Sequence, residues 1–116
     1  MIHLNDNIKI GHRIEKVYDI MDGMAPFSVD DRQVNGCYIV RTDLGDIMLT
    51  CDAQIMRPDG TYIRVDQIKP YVQCLKHVSG PAVVTDTLAV PESQWMVKVW
   101  DTDYIIVNGF YIAPDM

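Results

Sequence analysis

Cys37-Tyr38-Ile39-Val40-Arg41-Thr42-Asp43-Leu44-Gly45-Asp46-Ile47-Met48-Leu49-Thr50 reads as two short strands back to back. β-branched and aromatic residues fill 37–42 and 46–50, and Asp43-Leu44-Gly45 is a three-residue loop with the glycine that a hairpin needs. A second hairpin follows at once. Ala53-Gln54-Ile55-Met56 and Thr61-Tyr62-Ile63-Arg64-Val65 flank Arg57-Pro58-Asp59-Gly60, where proline presets one turn dihedral and glycine accepts a positive φ.

Outward from this pair, the sequence predicts strands over residues 9–18, 71–77 and 82–90, with Gly80-Pro81 as punctuation between the last two. Residues 95–100 and 104–107 bracket Asp101-Thr102-Asp103, and Asn108-Gly109 opens a final run, 110–112. The best helical stretch, Val65-Asp66-Gln67-Ile68-Lys69, is ended by Pro70 after about one turn. Residues 21–36, with Gly23, Pro26, Ser28, Asp30, Asp31 and Asn35, form the longest irregular stretch and are expected as a surface loop. The fold class is all-β: one domain over residues 1–116, a compact sandwich or barrel of hairpins with strongly bent strands.

Composition narrows the function. Hydrophobic residues make up 48% of the 116, enough for one packed core. Ten basic residues against sixteen acidic give a formal charge of −6, and the basic residues are dispersed, so nucleic acid is not an expected partner. No apolar run approaches the roughly 20 residues that span a bilayer, and the start lacks the layout of a signal peptide. Neither membrane nor secretion is expected; the location is cytoplasmic or within a virion. Cys37, Cys51 and Cys74 are odd in number and widely spaced, which suggests neither a disulfide framework nor a metal clip.

Gly45-Asp46-Ile47-Met48-Leu49-Thr50-Cys51-Asp52-Ala53-Gln54-Ile55, followed by Asp59-Gly60-Thr61-Tyr62-Ile63-Arg64-Val65-Asp66-Gln67-Ile68, resembles the middle block of the hedgehog/intein, or Hint, family. That block is a strand ending in Thr-x-x-His, then an Asp-Gly hairpin, and Thr50 and Asp59-Gly60 match it. Ile8-Lys9-Ile10-Gly11-His12-Arg13-Ile14 is similar to an early strand of the family, and Tyr104-Ile105-Ile106-Val107-Asn108-Gly109-Phe110-Tyr111-Ile112 to its terminal strand. The blocks keep the family's order over about half the chain, and the resemblance implies a Hint-like fold.

The same resemblance marks departures. Autoprocessing needs a Cys or Ser at the first position, and Met1 stands there. The block histidine falls at Ala53, and the terminal His-Asn pair, which serves Asn cyclisation, falls at Ala113-Pro114. Asp115 holds the next nucleophile position, and Pro70-Tyr71 replaces a Gly-Asp pair. With nucleophile, donor and cyclising amide replaced, the expectation is a catalytically silent domain: no enzyme, no catalytic residue, no cofactor.

Other chemistry has little sequence support. Cys51 beside Asp52 is a candidate thiol nucleophile with His12 or His77 as base, yet a packed cysteine is the plainer reading. His3, His12 and His77 lack metal-ligand spacing, so no metal is expected. Asn108-Gly109 permits cyclisation of the Asn side chain, with a turn as the plainer reading. The expected role is a structural or protein-interaction module, a small subunit of a larger assembly such as a phage virion, with other subunits or further copies of itself as partners. Its apolar ends, Met1, Ile2 and Leu4 with Phe110, Tyr111 and Ile112, are the expected interaction residues. An autoprocessing domain with another nucleophile, Cys51 or Asn108 first, and a small ligand-binding β module are the alternatives.

Overall fold

The computed structural model describes residues 2–3, 7–10, 13–16, 28–100 and 105–113, with side chains described for 33–94, 96 and 105–113. In chain order the strands are β1 (Ile2–His3), β2 (Asn7–Ile10), β3 (Arg13–Lys16), β4 (Ser28–Val34), β5 (Cys37–Thr42), β6 (Gly45–Thr50), β7 (Gln54–Met56), β8 (Tyr62–Arg64), β9 (Cys74–His77), β10 (Gly80–Val90), β11 (Gln94–Trp100), β12 (Ile105–Val107) and β13 (Phe110–Ile112). One 3₁₀ turn, Val65–Gln67, is the only helical element among the described residues. All pairings are antiparallel, and they form one path, β3-β2-β12-β13-β9-β10-β5-β6-β1-β11-β4, with β7 added to β13 and β8 to β7.

β10 joins the two halves of this path. Its first part, Gly80 to Val83, pairs with β9; after Val84 the register shifts, and Asp86 to Val90 pair with β5. A bulge of this kind bends a strand and increases its twist, so one strand serves both halves of the path. The all-β class with strongly bent strands is therefore observed. Ala82 and Val84 point inward before the bulge and are fully buried. They meet Val40, Ile47 and Leu49 from one side and Ile55, Leu75, Val107, Phe110 and Ile112 from the other in a single cluster. Each such side chain withdrawn from water contributes about 1.5 to 3 kcal/mol before the entropy of ordering is subtracted.

The two central hairpins form where local chemistry asks for them. Thr42 pairs with Gly45, so the first turn is Asp43-Leu44, one residue tighter than expected, with Gly45 at φ +133°. The Thr42 hydroxyl ties the turn by donating to the Gly45 carbonyl (2.7 Å) and accepting from the Leu44 N–H (3.1 Å). In the second, Gly60 sits at φ +87° and the Asp59 carboxylate accepts from both the Thr61 N–H (3.0 Å) and its hydroxyl (2.6 Å).

Four expectations need correction. Residues 9–18 form two strands, β2 and β3, paired Ile10 to Arg13; Gly11 and His12 lie outside the described residues. Residues 28–34 of the expected loop 21–36 are β4, because β11 supplies a seven-residue partner for it, and residues 21–27 lie outside the description. Tyr71 and Val72 belong to a turn: Tyr71 takes φ +63°, donates its N–H to the Val84 carbonyl (2.8 Å), and leaves the strand to begin at Cys74. Gly80-Pro81, expected as punctuation, opens β10 instead, and the turn before it is Val78-Ser79.

The hydrogen bonds from Thr61 hold the Asp59 carboxyl below its ordinary range. A depressed carboxylate stabilises the fold at neutral pH, and that contribution is lost as pH falls through its folded value. Asp59→Asn is expected to lower the urea midpoint at pH 7, with the gap to the wild type closing as pH falls toward about 3. A gap that stays constant over that range contradicts the assignment.

Candidate functional site

Three separated pieces of backbone meet at the end of β6. Ile2 of β1 pairs with Leu49 of β6 on one side and Val97 of β11 on the other. β6 ends at the buried Thr50, and the chain turns through Cys51 and Asp52 to Ala53, whose N–H closes onto the Thr50 carbonyl (3.1 Å). Beyond the turn, Ile55 pairs with Ile112, and the Ala113 N–H donates to the Gln54 carbonyl (3.0 Å). β1, the Thr50–Gln54 corner and the end of β13 thus lie side by side.

The corner is pinned from outside as well. The Cys51 N–H reaches the Gly36 carbonyl (3.0 Å), the Val65 N–H the Ala53 carbonyl (2.9 Å), and the Asp66 N–H the Cys51 carbonyl (3.1 Å). Asp66 in turn grips Arg64 through two hydrogen bonds, from Nε (3.2 Å) and Nη2 (2.9 Å), which raises the Arg64 pKa. The same guanidinium is in electrostatic reach of Asp52 and Cys51. Cys51 is half-buried and Asp52 exposed. Ala53 is buried and Ala113 half-buried, and neither methyl side chain can donate or accept a proton. Met1, Leu4, His12, Pro114 and Asp115 lie outside the described residues.

The other sequence candidates sit elsewhere. His77 accepts the Ser79 N–H at Nδ1 (3.1 Å), so the neutral ring carries its proton on Nε2 and donates it to the Asn108 carbonyl (3.1 Å). With both nitrogens engaged, His77 is no base for Cys51. Asn108 (φ +50°) and Gly109 (φ +87°) make the two-residue turn between β12 and β13. A Cβ on Gly109 would overlap the His77 ring, so glycine is needed there for space as well as for φ. Phe110 and Ile112, expected at an interface, are buried in the chain's own core, and Phe110 meets the His77 ring edge-on at 4.8 Å. Tyr111 is half-buried under the Lys76 ammonium, 4.7 Å from its ring centroid. The sequence reading passed over Arg64 and Asp66; their Arg-x-Asp spacing was the one signal available.

Solved structures share this fold over nearly the whole chain. A DnaB intein from Synechocystis sp. PCC 6803 superposes with a TM-score of 0.73 at 14% identity, covering 99% of this chain and 98% of that one. The MchDnaB-1 intein gives 0.76 at 14% identity, over 97% and 99%. This is a Hint fold. The gp41-1 intein agrees, with a TM-score of 0.72 at 10% identity over 98% and 97%. No family model matches the sequence, and no curated protein does. The neighbours correct one expectation: inteins carry out protein splicing, an autocatalytic activity, so the reading of this chain as no enzyme does not stand.

The three thiols differ in setting. Cys37 is 1% exposed and burial pushes its pKa up, Cys51 is half-buried, and Cys74 is exposed. Iodoacetamide at neutral pH is expected to label Cys74 first, then Cys51, and to spare Cys37 until urea unfolds the chain, as read by peptide mass spectrometry. Labelling of Cys37 in buffer at the rate of Cys74 contradicts this packing.

Proposed function

We propose that this domain is an autoprocessing domain of the intein class, acting on a peptide bond at its own upstream junction. The observation that supports the reading is the convergence of β1, the Thr50–Gln54 corner and the end of β13 within a fold that matches inteins along almost their whole length. A self-cleaving domain must bring its ends to one polar corner, because the scissile bond is intramolecular and its reactivity comes from being held in place.

The residues favour the upstream end over the downstream one. Release of a downstream segment by Asn cyclisation needs a side-chain amide beside the scissile bond, and Ala113-Pro114 provides none. Upstream cleavage needs a nucleophile within reach and a carbonyl to attack, and β1 leads to the corner where Cys51 sits. Met1 itself is a thioether without an acidic proton, so the attacking group comes from elsewhere in the fold.

The test is a polypeptide in which a reporter segment precedes Met1 and a second one follows Met116, incubated with dithiothreitol at pH 7 to 8 and followed by intact mass. Scission at the upstream junction is expected, leaving the downstream reporter attached. Recovery of the full-length polypeptide alone, with the domain folded, contradicts the reading.

A further inference from the structure

We infer that the outer edge of β10, residues 86–90, is where two copies of this chain pair strand against strand. The geometry begins at the β5–β6 hairpin. Thr42 pairs with Gly45 across a two-residue turn, and the residues that close such a turn bond to each other. Thr42, Val40 and Tyr38 therefore direct their backbone groups to β6, and Arg41, Ile39 and Cys37 direct theirs to β10. Opposite these three stand Asp86, Leu88 and Val90, which leaves Thr87 and Ala89 directed away from β5. The Thr87 N–H agrees, since it donates to the Asp86 carboxylate (2.8 Å) and not to a strand. Earlier in β10 the same side is closed, by β9 as far as Val83 and by Gln73 and Tyr71 at Val84. Beyond Val84 no strand among the described residues lies along it, and Thr87 and Ala89 form a short open ladder.

An apolar row leads to that edge. Val40 belongs to the core, so its neighbour Ile39 lies on the opposite face of the sheet. The register sets Leu88, Ile39 and Met48 side by side across β10, β5 and β6 on that face. Leu88 is 38% exposed, and Ile39 and Met48 are half-buried.

A second copy completes the ladder and the row together. About a two-fold axis at Leu88, two β10 strands run antiparallel, with Thr87 of each copy opposite Ala89 of the other as hydrogen-bonded pairs and the two Leu88 residues as the close pair between them. The apolar row then runs unbroken from Met48 of one copy to Met48 of the other. Asp86 stands opposite Val90, so the two carboxylates lie at opposite ends of the ladder and no like charges meet. The lengths also match: the second strand ends at Val90, and Pro91 leaves it where Tyr71 closes the ladder at Val84. A strand pair over residues 86–90 is smaller than a permanent interface, so the dimer is weak and concentration-dependent. The Asp86 carboxylate competes with the incoming strand for the Thr87 N–H and weakens it further.

Sedimentation velocity of the whole chain over about 10 μM to 1 mM tests this. Wild type is expected to pass from monomer toward dimer across that range, Asp86→Ala to do so at lower concentration, and Leu88→Lys and Ala89→Pro to stay monomeric. Ala89→Pro removes an N–H that faces away from β5, a place where an edge strand accepts proline. Protection of the buried Cys37 from iodoacetamide reports that each variant is folded. In a Cys74→Ser background, Leu88→Cys is expected to give a disulfide-linked dimer under copper phenanthroline several-fold faster than Leu44→Cys, Leu44 being 38% exposed like Leu88. The close pair sets the two Cα atoms about 4.5 Å apart, within disulfide range. A wild type that is monomeric throughout overturns the proposal, as does a dimer that folded Leu88→Lys and Ala89→Pro leave intact, or equal coupling at positions 44 and 88.

Discussion

Four backbone hydrogen bonds hold the corner at Thr50–Gln54, and the architecture turns on them. Cys51 to Gly36, Ala53 to Thr50, Val65 to Ala53 and Asp66 to Cys51 bind the place where the chain leaves the half built on β5 and β6 for the half built on β7 and β13. Each contributes only about 0.5 to 1.5 kcal/mol net. Left unmade around a buried Thr50 and Ala53, the same groups would cost about 1 to 3 kcal/mol each. The corner has one low-energy path, and β1 and β13 are positioned by pairing beside it.

That constraint is one that a chain of 10 to 14% identity can meet while keeping the fold of the inteins it superposes on. Backbone ladders, positive-φ glycines and inward alternation define the frame, and none of them requires an imidazole at position 53 or 113. An alanine fits both places without a buried unpaired polar atom among the described residues. The frame constrains where reacting groups can stand, and the side chains there decide which reaction follows. In this chain the corner carries Cys51 and Asp52, with Arg64 in electrostatic reach of both.

The hairpins were legible because their turns carry their own chemistry: Gly45, Gly60 and Asn108-Gly109 require unusual φ values that few other residues tolerate. β4 was not, since Ser28, Asp30 and Asp31 read as loop until β11 lies alongside and pairs with them residue by residue. The start of β10 was equally hidden, because Gly80-Pro81 looks like a break while the actual turn is set by Ser79 donating to His77. At the site, the positions of Ala53 and Ala113 followed from their order in the chain. The Arg64–Asp66–Cys51 association did not, because it depends on a 3₁₀ turn that folds residue 66 back onto residue 51.

β1 and the end of β13 converge on the Thr50–Gln54 corner. Cross-strand NOEs in the folded protein test this most directly. Contacts between the backbone protons of Ile2 and Leu49, together with contacts between the Ala113 amide and Gln54, are the expected result. Assigned spectra that place Ile2 beside another strand, or Ala113 away from Gln54, would contradict the account.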